Sequence, residues 1–144
     1  MTNFFEDFEI YFLKTKKGNI RYRKAGDGPA ILMLHGNPQT HVMWHKVAPA
    51  LVKNFTIICP DIPGYGKSFK PKITTDHKEF SKVSMARNMV DFMQKLDFKS
   101  FYIVAHDRGA RVAHRLGMDF PDKVIKMILL DIIPTIEHFE RANM

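Results

Sequence analysis

Asp107 is the residue whose setting could do chemistry. The stretch Phe101-Tyr-Ile-Val-Ala-His-Asp-Arg-Gly-Ala-Arg111 reads as a buried strand, a one-residue hinge and a helix start. Ala105 and Gly109 stand two positions to either side of Asp107. That small-x-nucleophile-x-small spacing lets a tight strand-to-helix turn lift its central side chain clear of a sheet. A hydroxyl there needs a base, whereas a carboxylate, with an ordinary pKa of about 3.9, is already ionised at neutral pH. Its attack on an acyl carbon gives a mixed anhydride that easily reverts. Its attack on a saturated carbon bearing a leaving group gives a stable alkyl ester. The spacing therefore points to displacement at an sp3 carbon, with halide or an epoxide oxygen departing. The plainer alternative is a helix N-cap, a role worth about 1 kcal/mol.

Three neighbouring features weigh against the cap. Arg108 and Arg111 follow at once and share a helical face. Cations in a first helical turn oppose the helix dipole at about 0.3–1 kcal/mol each. Two guanidinium groups beside an anionic nucleophile suit a substrate that is itself a carboxylate; the alternative is a solvated basic helix end continued by His114 and Arg115. A second apolar strand, Ala30–Leu34, runs into His35-Gly36-Asn37-Pro38. The loop after such a strand supplies one oxyanion-hole N–H and the residue after the nucleophile supplies the other, which makes Asn37 and Arg108 the backbone donors; the alternative is an ordinary turn. A third strand, Val124–Leu130, ends in Asp131. An acid at the carboxyl end of a strand lies on the ligand-binding edge of an α/β sheet and could orient a catalytic histidine. Equally, it could cap the turn at Ile132-Ile-Pro-Thr135.

Taken together, His35-Gly-Asn-Pro-Gln39, Asp61-Ile-Pro-Gly-Tyr-Gly-Lys-Ser68, His106-Asp-Arg-Gly-Ala-Arg111 and Leu130-Asp-Ile-Ile-Pro-Thr135 resemble the haloacetate (fluoroacetate) dehalogenases of the α/β-hydrolase superfamily. The resemblance runs from about Phe8 to the last residue. It implies that Asp107 is the nucleophile, that Arg108 and Arg111 clamp the haloacetate carboxylate, and that Asp131 is the acid partner of a catalytic histidine. The related haloalkane dehalogenases and epoxide hydrolases usually carry Trp where this chain has Arg108. Asn37 is more typical of haloalkane dehalogenases, where it helps hold halide. A complete member has roughly twice this chain's 144 residues. The resemblance therefore implies a fragment, a truncated reading frame or one piece of a split gene. The cap, the last strands and the catalytic histidine would lie elsewhere, and the chain would be inactive alone. It also leaves room for a homodimer of the full-length form. The competing readings are an epoxide hydrolase or other α/β hydrolase, and a non-catalytic remnant or basic binding module.

The elements that must position these residues follow from periodicity and turn chemistry. Residues 8–13 and 20–24 read as two strands joined through Lys16-Lys-Gly-Asn19. Residues 41–53 read as a helix interrupted by Pro49, and residues 55–59 as a strand. Residues 61–80 read as a long loop and a functional rim. Residues 81–96 carry apolar side chains at helical spacing. Residues 99–105 form the strand before the hinge and residues 108–119 the helix after it. Alternating strands and helices with short joins predict a mostly parallel α/β sheet with flanking helices, a partial α/β-hydrolase core in one domain over 1–144.

Composition fits a globular protein, 45% hydrophobic and 26% charged. The single Cys59 excludes an intramolecular disulfide. The amino terminus lacks a secretory apolar segment and no run approaches the ~20 residues of a membrane span, so the expected location is cytoplasmic. Net charge is +7, but the basic residues are dispersed, and no nucleic-acid or membrane partner is expected. Gly64-Tyr-Gly-Lys-Ser68 fails the Walker pattern because Asp61 stands where its first glycine belongs. No cofactor or metal-ligand spacing is seen; the expected partner is a small halogenated carboxylate.

Overall fold

The computed structural model describes residue 5 and residues 7–142. The expected 1–144 domain therefore extends at both ends over residues outside the described ones. Six strands form one sheet in the order β1-β2-β4-β3-β5-β6. The strands are β1 (Glu9–Lys14), β2 (Asn19–Ala25), β3 (Ala30–Leu34), β4 (Thr56–Pro60), β5 (Phe101–His106) and β6 (Val124–Leu130). The β1–β2 and β2–β4 pairings are antiparallel; β4–β3, β3–β5 and β5–β6 are parallel. Four α-helices lie among the described residues: α1 (Ala48–Leu51), α2 (Lys82–Lys95), α3 (Arg108–Asp119) and α4 (Thr135–Ala142).

The sheet carries a core on each face because strand side chains alternate. Leu32, Leu34, Phe101, Ile103 and Ala105 pack against the apolar faces of α2 and α3. Ile31, Met33, Ile57 and Cys59 pack against Phe5, Phe8, Trp44 and Ala48. Every residue of β3 and β4 is buried, the continuous apolar run expected of interior parallel strands. Ser81 caps α2, its hydroxyl accepting from the Ser84 N–H at 3.2 Å.

The predicted helix over 41–53 is two pieces. A 3-10 turn spans His41–Lys46, and α1 restarts at Ala48 with Pro49 in its first turn. Proline cannot continue a helix but suits its first turn, so the break falls just before Pro49 rather than at it. The predicted loop over 61–80 contains a short 3-10 turn at Lys78–Phe80. Its first part is wound around Asp61, which is fully buried. The Asp61 carboxylate accepts from His41 Nδ1 at 2.7 Å and from the N–H groups of His41 and Lys67 at 3.1 and 3.0 Å. Burial pushes this carboxyl up, but the bonds from His41 and Lys67 outweigh it and hold it well below the usual range. This segment is thus built about an internal charge, not only as a surface rim. A Cβ on Gly66, whose φ is +48°, would fall 2.1 Å from Asp61 Oδ2, so only glycine lets the chain close around that carboxylate.

Candidate active site

Asp107 sits between β5 and α3 with φ 47° and ψ −117°, a conformation that costs a non-glycine residue of order 1–3 kcal/mol. Surrounding backbone holds it there. The Asp107 N–H donates to Leu130 O of β6 at 3.0 Å, and its carbonyl accepts from the Arg111 N–H at 3.2 Å. The turn closes only around small residues. A Cβ on Gly109 would lie 2.4 Å from His35 O and 2.7 Å from Leu34 O. A Cβ on Gly36 would lie 2.8 Å from Asp107 Oδ2.

The N-cap alternative for Asp107 is not realised. Its backbone is outside the extended region a cap adopts, and its side chain makes no capping bond. The carboxylate is turned to the loop after β3 instead, where Oδ2 accepts from the Asn37 N–H at 2.9 Å. Partial burial pushes the Asp107 carboxyl up. The N–H groups of Asn37 and Arg108 and the charges of His106 and Arg108 outweigh that effect and hold it below the usual carboxylate range. The Asn37 N–H thus already meets the Asp107 carboxylate, and the Arg108 N–H helps stabilise its anion.

Gln39 fixes the Asn37 loop from behind. The Gly36 N–H donates to Gln39 Oε1 at 3.0 Å, so that oxygen is an acceptor and His106 Nδ1, 3.1 Å away, is the donor. Nε2 of the same ring stands 3.5 Å from Asp131 Oδ2. His35 is fully buried: Nδ1 donates to Gly36 O at 2.8 Å and Nε2 accepts from the Ile62 N–H at 2.9 Å. It joins the loops after β3 and β4, and burial lowers its pKa.

The remaining expected residues gather at the same end of the sheet. Arg108 is exposed and Arg111 half-buried; Arg111 donates to Thr135 Oγ1 at 2.7 Å. Among the described residues Asp131, with φ 54°, makes no capping bond. Among the described residues its carboxylate meets His106, and it shares a cavity of about 320 Å³ with Arg111 and His138. Reading the sequence alone missed the bridging bonds of Gln39 and the position of Lys82. Lys82 opens α2 and lies in the field of Arg108 and Arg111; its one sequence signal is a cation in a first helical turn, the argument that singled out Arg108. No group of three or more metal-ligating side chains occurs among the described residues, and no described helix is long and apolar enough to cross a membrane.

Comparison with known proteins meets this geometry from outside. The sequence profile of the α/β hydrolase fold matches residues 29–144. The chain is 42% identical over 139 residues to a fluoroacetate dehalogenase of Burkholderia sp., covering 96% of this chain and 46% of that protein. It is 36% identical over 115 residues to a soluble epoxide hydrolase of Corynebacterium sp., covering 80% and 38%. A crystal structure of a Nostoc sp. protein proposed to be an α/β hydrolase superposes with a TM-score of 0.91 at 49% identity, covering 94% and 46%. The chain spans about half the length of the relatives it matches, or less.

Proposed function

Because the chain belongs to the α/β-hydrolase fold family, we propose that Asp107 occupies that fold's nucleophile position and that the chain carries the displacement half of a haloacetate dehalogenase. The observation behind this reading is the Asp107 carboxylate, held by the Asn37 N–H rather than by its own helix. With Oδ2 bonded, Oδ1 attacks the α-carbon of a haloacetate. The new C–O bond forms as the carbon–halogen bond breaks and halide leaves with its electron pair. Arg108 and Arg111 hold the substrate carboxylate and offset its repulsion from Asp107. Water then attacks Cγ of the ester, the N–H groups of Asn37 and Arg108 hold the oxyanion, and glycolate departs as Asp107 is restored. That water needs a base, and Asp131 is proposed to orient the histidine that serves. His106, with both ring nitrogens engaged, is not free to do so. The epoxide hydrolase relative makes an epoxide the competing substrate, but two arginines beside the nucleophile favour an anion.

Intact mass of the chain after incubation with fluoroacetate tests the reading. The expected result is one added carboxymethyl group that persists in the wild type and is absent from Asp107→Asn. Fluoroacetate does not readily alkylate thiols, and burial raises the Cys59 pKa further from reactivity. A folded chain that gains no mass refutes the displacement.

A further inference from the structure

Lys82 is a charged side chain that the proposed reaction leaves unused. It is the first residue of α2, half-buried, with Nζ 3.8 Å from Met85 Sδ. No carboxylate among the described residues forms an ion pair with it. Burial lowers its pKa, the charges of Arg108 and Arg111 lower it further, and Asp107 opposes them. The partly desolvated ammonium lines one cavity with Arg111 and lies in the field of Arg108 as well. It stands in the first turn of one helix, and the two arginines stand in the first turn of another. Both helix dipoles disfavour cations there, and the charge of Asp107 offsets only part of the desolvation and like-charge repulsion. Arg108 has no ion pair among the described residues, and Arg111 has the neutral Thr135 hydroxyl.

The same residues open onto space. Lys82, Arg111, His114 and Arg115 line a cavity of about 350 Å³ together with Met118 and Thr135. Arg115 is neutralised by Asp119 at 2.8 Å, while Lys82 and Arg111 keep their charge for whatever enters.

We propose that Lys82 is a third cation of the carboxylate site, reaching it from α2, and that it selects anionic over neutral substrates. This rests on the Asp107 reading above and deepens it. A bound carboxylate would replace mutual repulsion among three cations with charge-assisted hydrogen bonds. A neutral haloalkane or amide would leave the ammonium half-buried and unpaired.

The test is an NMR titration of the ¹⁵N-labelled chain with acetate and separately with acetamide, for the wild type, Lys82→Gln and Lys82→Arg. Acetate is expected to move the amides of Arg108, Arg111 and the start of α2. Lys82→Gln should weaken acetate binding by roughly tenfold or more, the usual scale for losing one charged hydrogen bond. It should leave acetamide unchanged, and Lys82→Arg should restore most of the loss. A second measurement needs no variant: with ¹³C-methylated lysines, acetate should raise the titration midpoint of Lys82 in the wild type. Equal acetate affinity in Lys82→Gln, or an unmoved Lys82 midpoint, overturns the proposal while leaving the arginine pair and the displacement standing. Lys82-dependent acetate binding without alkylation of Asp107 by fluoroacetate sinks the displacement and leaves Lys82 as an anion ligand.

Discussion

The two aspartates proposed as nucleophile and acid, Asp107 and Asp131, follow neighbouring strands yet are held in opposite ways. Asp107 follows β5, an interior strand, and backbone approaches it from the loop after β3, from β6 and from α3. Asp131 follows β6, the edge strand, whose Ile125, Ile128 and Leu130 are exposed. Its side chain is 81% exposed and reaches one neighbour at 3.5 Å. The contrast shows that positional accuracy here comes from backbone packed on several sides, not from the strength of any one bond. On the proposed reaction, the residue that would perform the displacement is preorganised, while the proposed acid hangs from an edge strand of the described sheet.

One substitution made on both sides breaks the comparison most sharply. Gly109→Ala drives a Cβ into the carbonyls of Leu34 and His35. It should cost about 2–3 kcal/mol, the range for forced backbone shifts, read as a lower urea midpoint. Gly117→Ala, on the β6 side of the same helix, meets only the far end of the Met127 side chain at 2.3 Å. That group can move, so the alanine should be neutral or gain up to about 1 kcal/mol from helix propensity. Equal losses at the two sites would dissolve the distinction.

Acidity sharpens it next. The folded Asp107 pKa lies below its ordinary value, so its carboxylate persists where a free one would already be protonated. The rate of fluoroacetate alkylation should therefore stay level from pH about 8 down to about 4 and fall only below that. A rate that declines from higher pH would mean that Asn37 and Arg108 do not stabilise the anion. The smallest effect belongs to the acid side: Asp131→Asn should change stability by no more than about 0.5 kcal/mol and leave the alkylation rate alone. A marked slowing of alkylation would tie the two sides together through His106.

Local chemistry made the Asp107 side legible in the sequence. Ala105, Asp107, Gly109 and the flanking apolar run lie within one strand-turn-helix, so their spacing carries the geometry. The strands fell close to their expected places for the same reason. What could not be read depends on chain segments far apart. The ring of His106 meets Gln39 and Asp131 only because β3, β5 and β6 are neighbours. Lys82 reads as the start of an apolar repeat until α2 is laid beside α3. Asp61 sits in a glycine-rich stretch that looks like a solvated turn, and only the fold brings His41 and Arg21 to its carboxylate.

The bond from the Asn37 N–H to Asp107 Oδ2 also decides the ownership of atoms. With Oδ2 tethered, the two oxygens of one carboxylate cease to be equivalent. On the proposed reaction Oδ1 leaves in each turnover as the hydroxyl oxygen of glycolate, and water supplies its replacement. Oδ2 stays with the protein throughout. The side chain would thus be partly rebuilt from solvent every cycle, around a single oxygen that never changes hands.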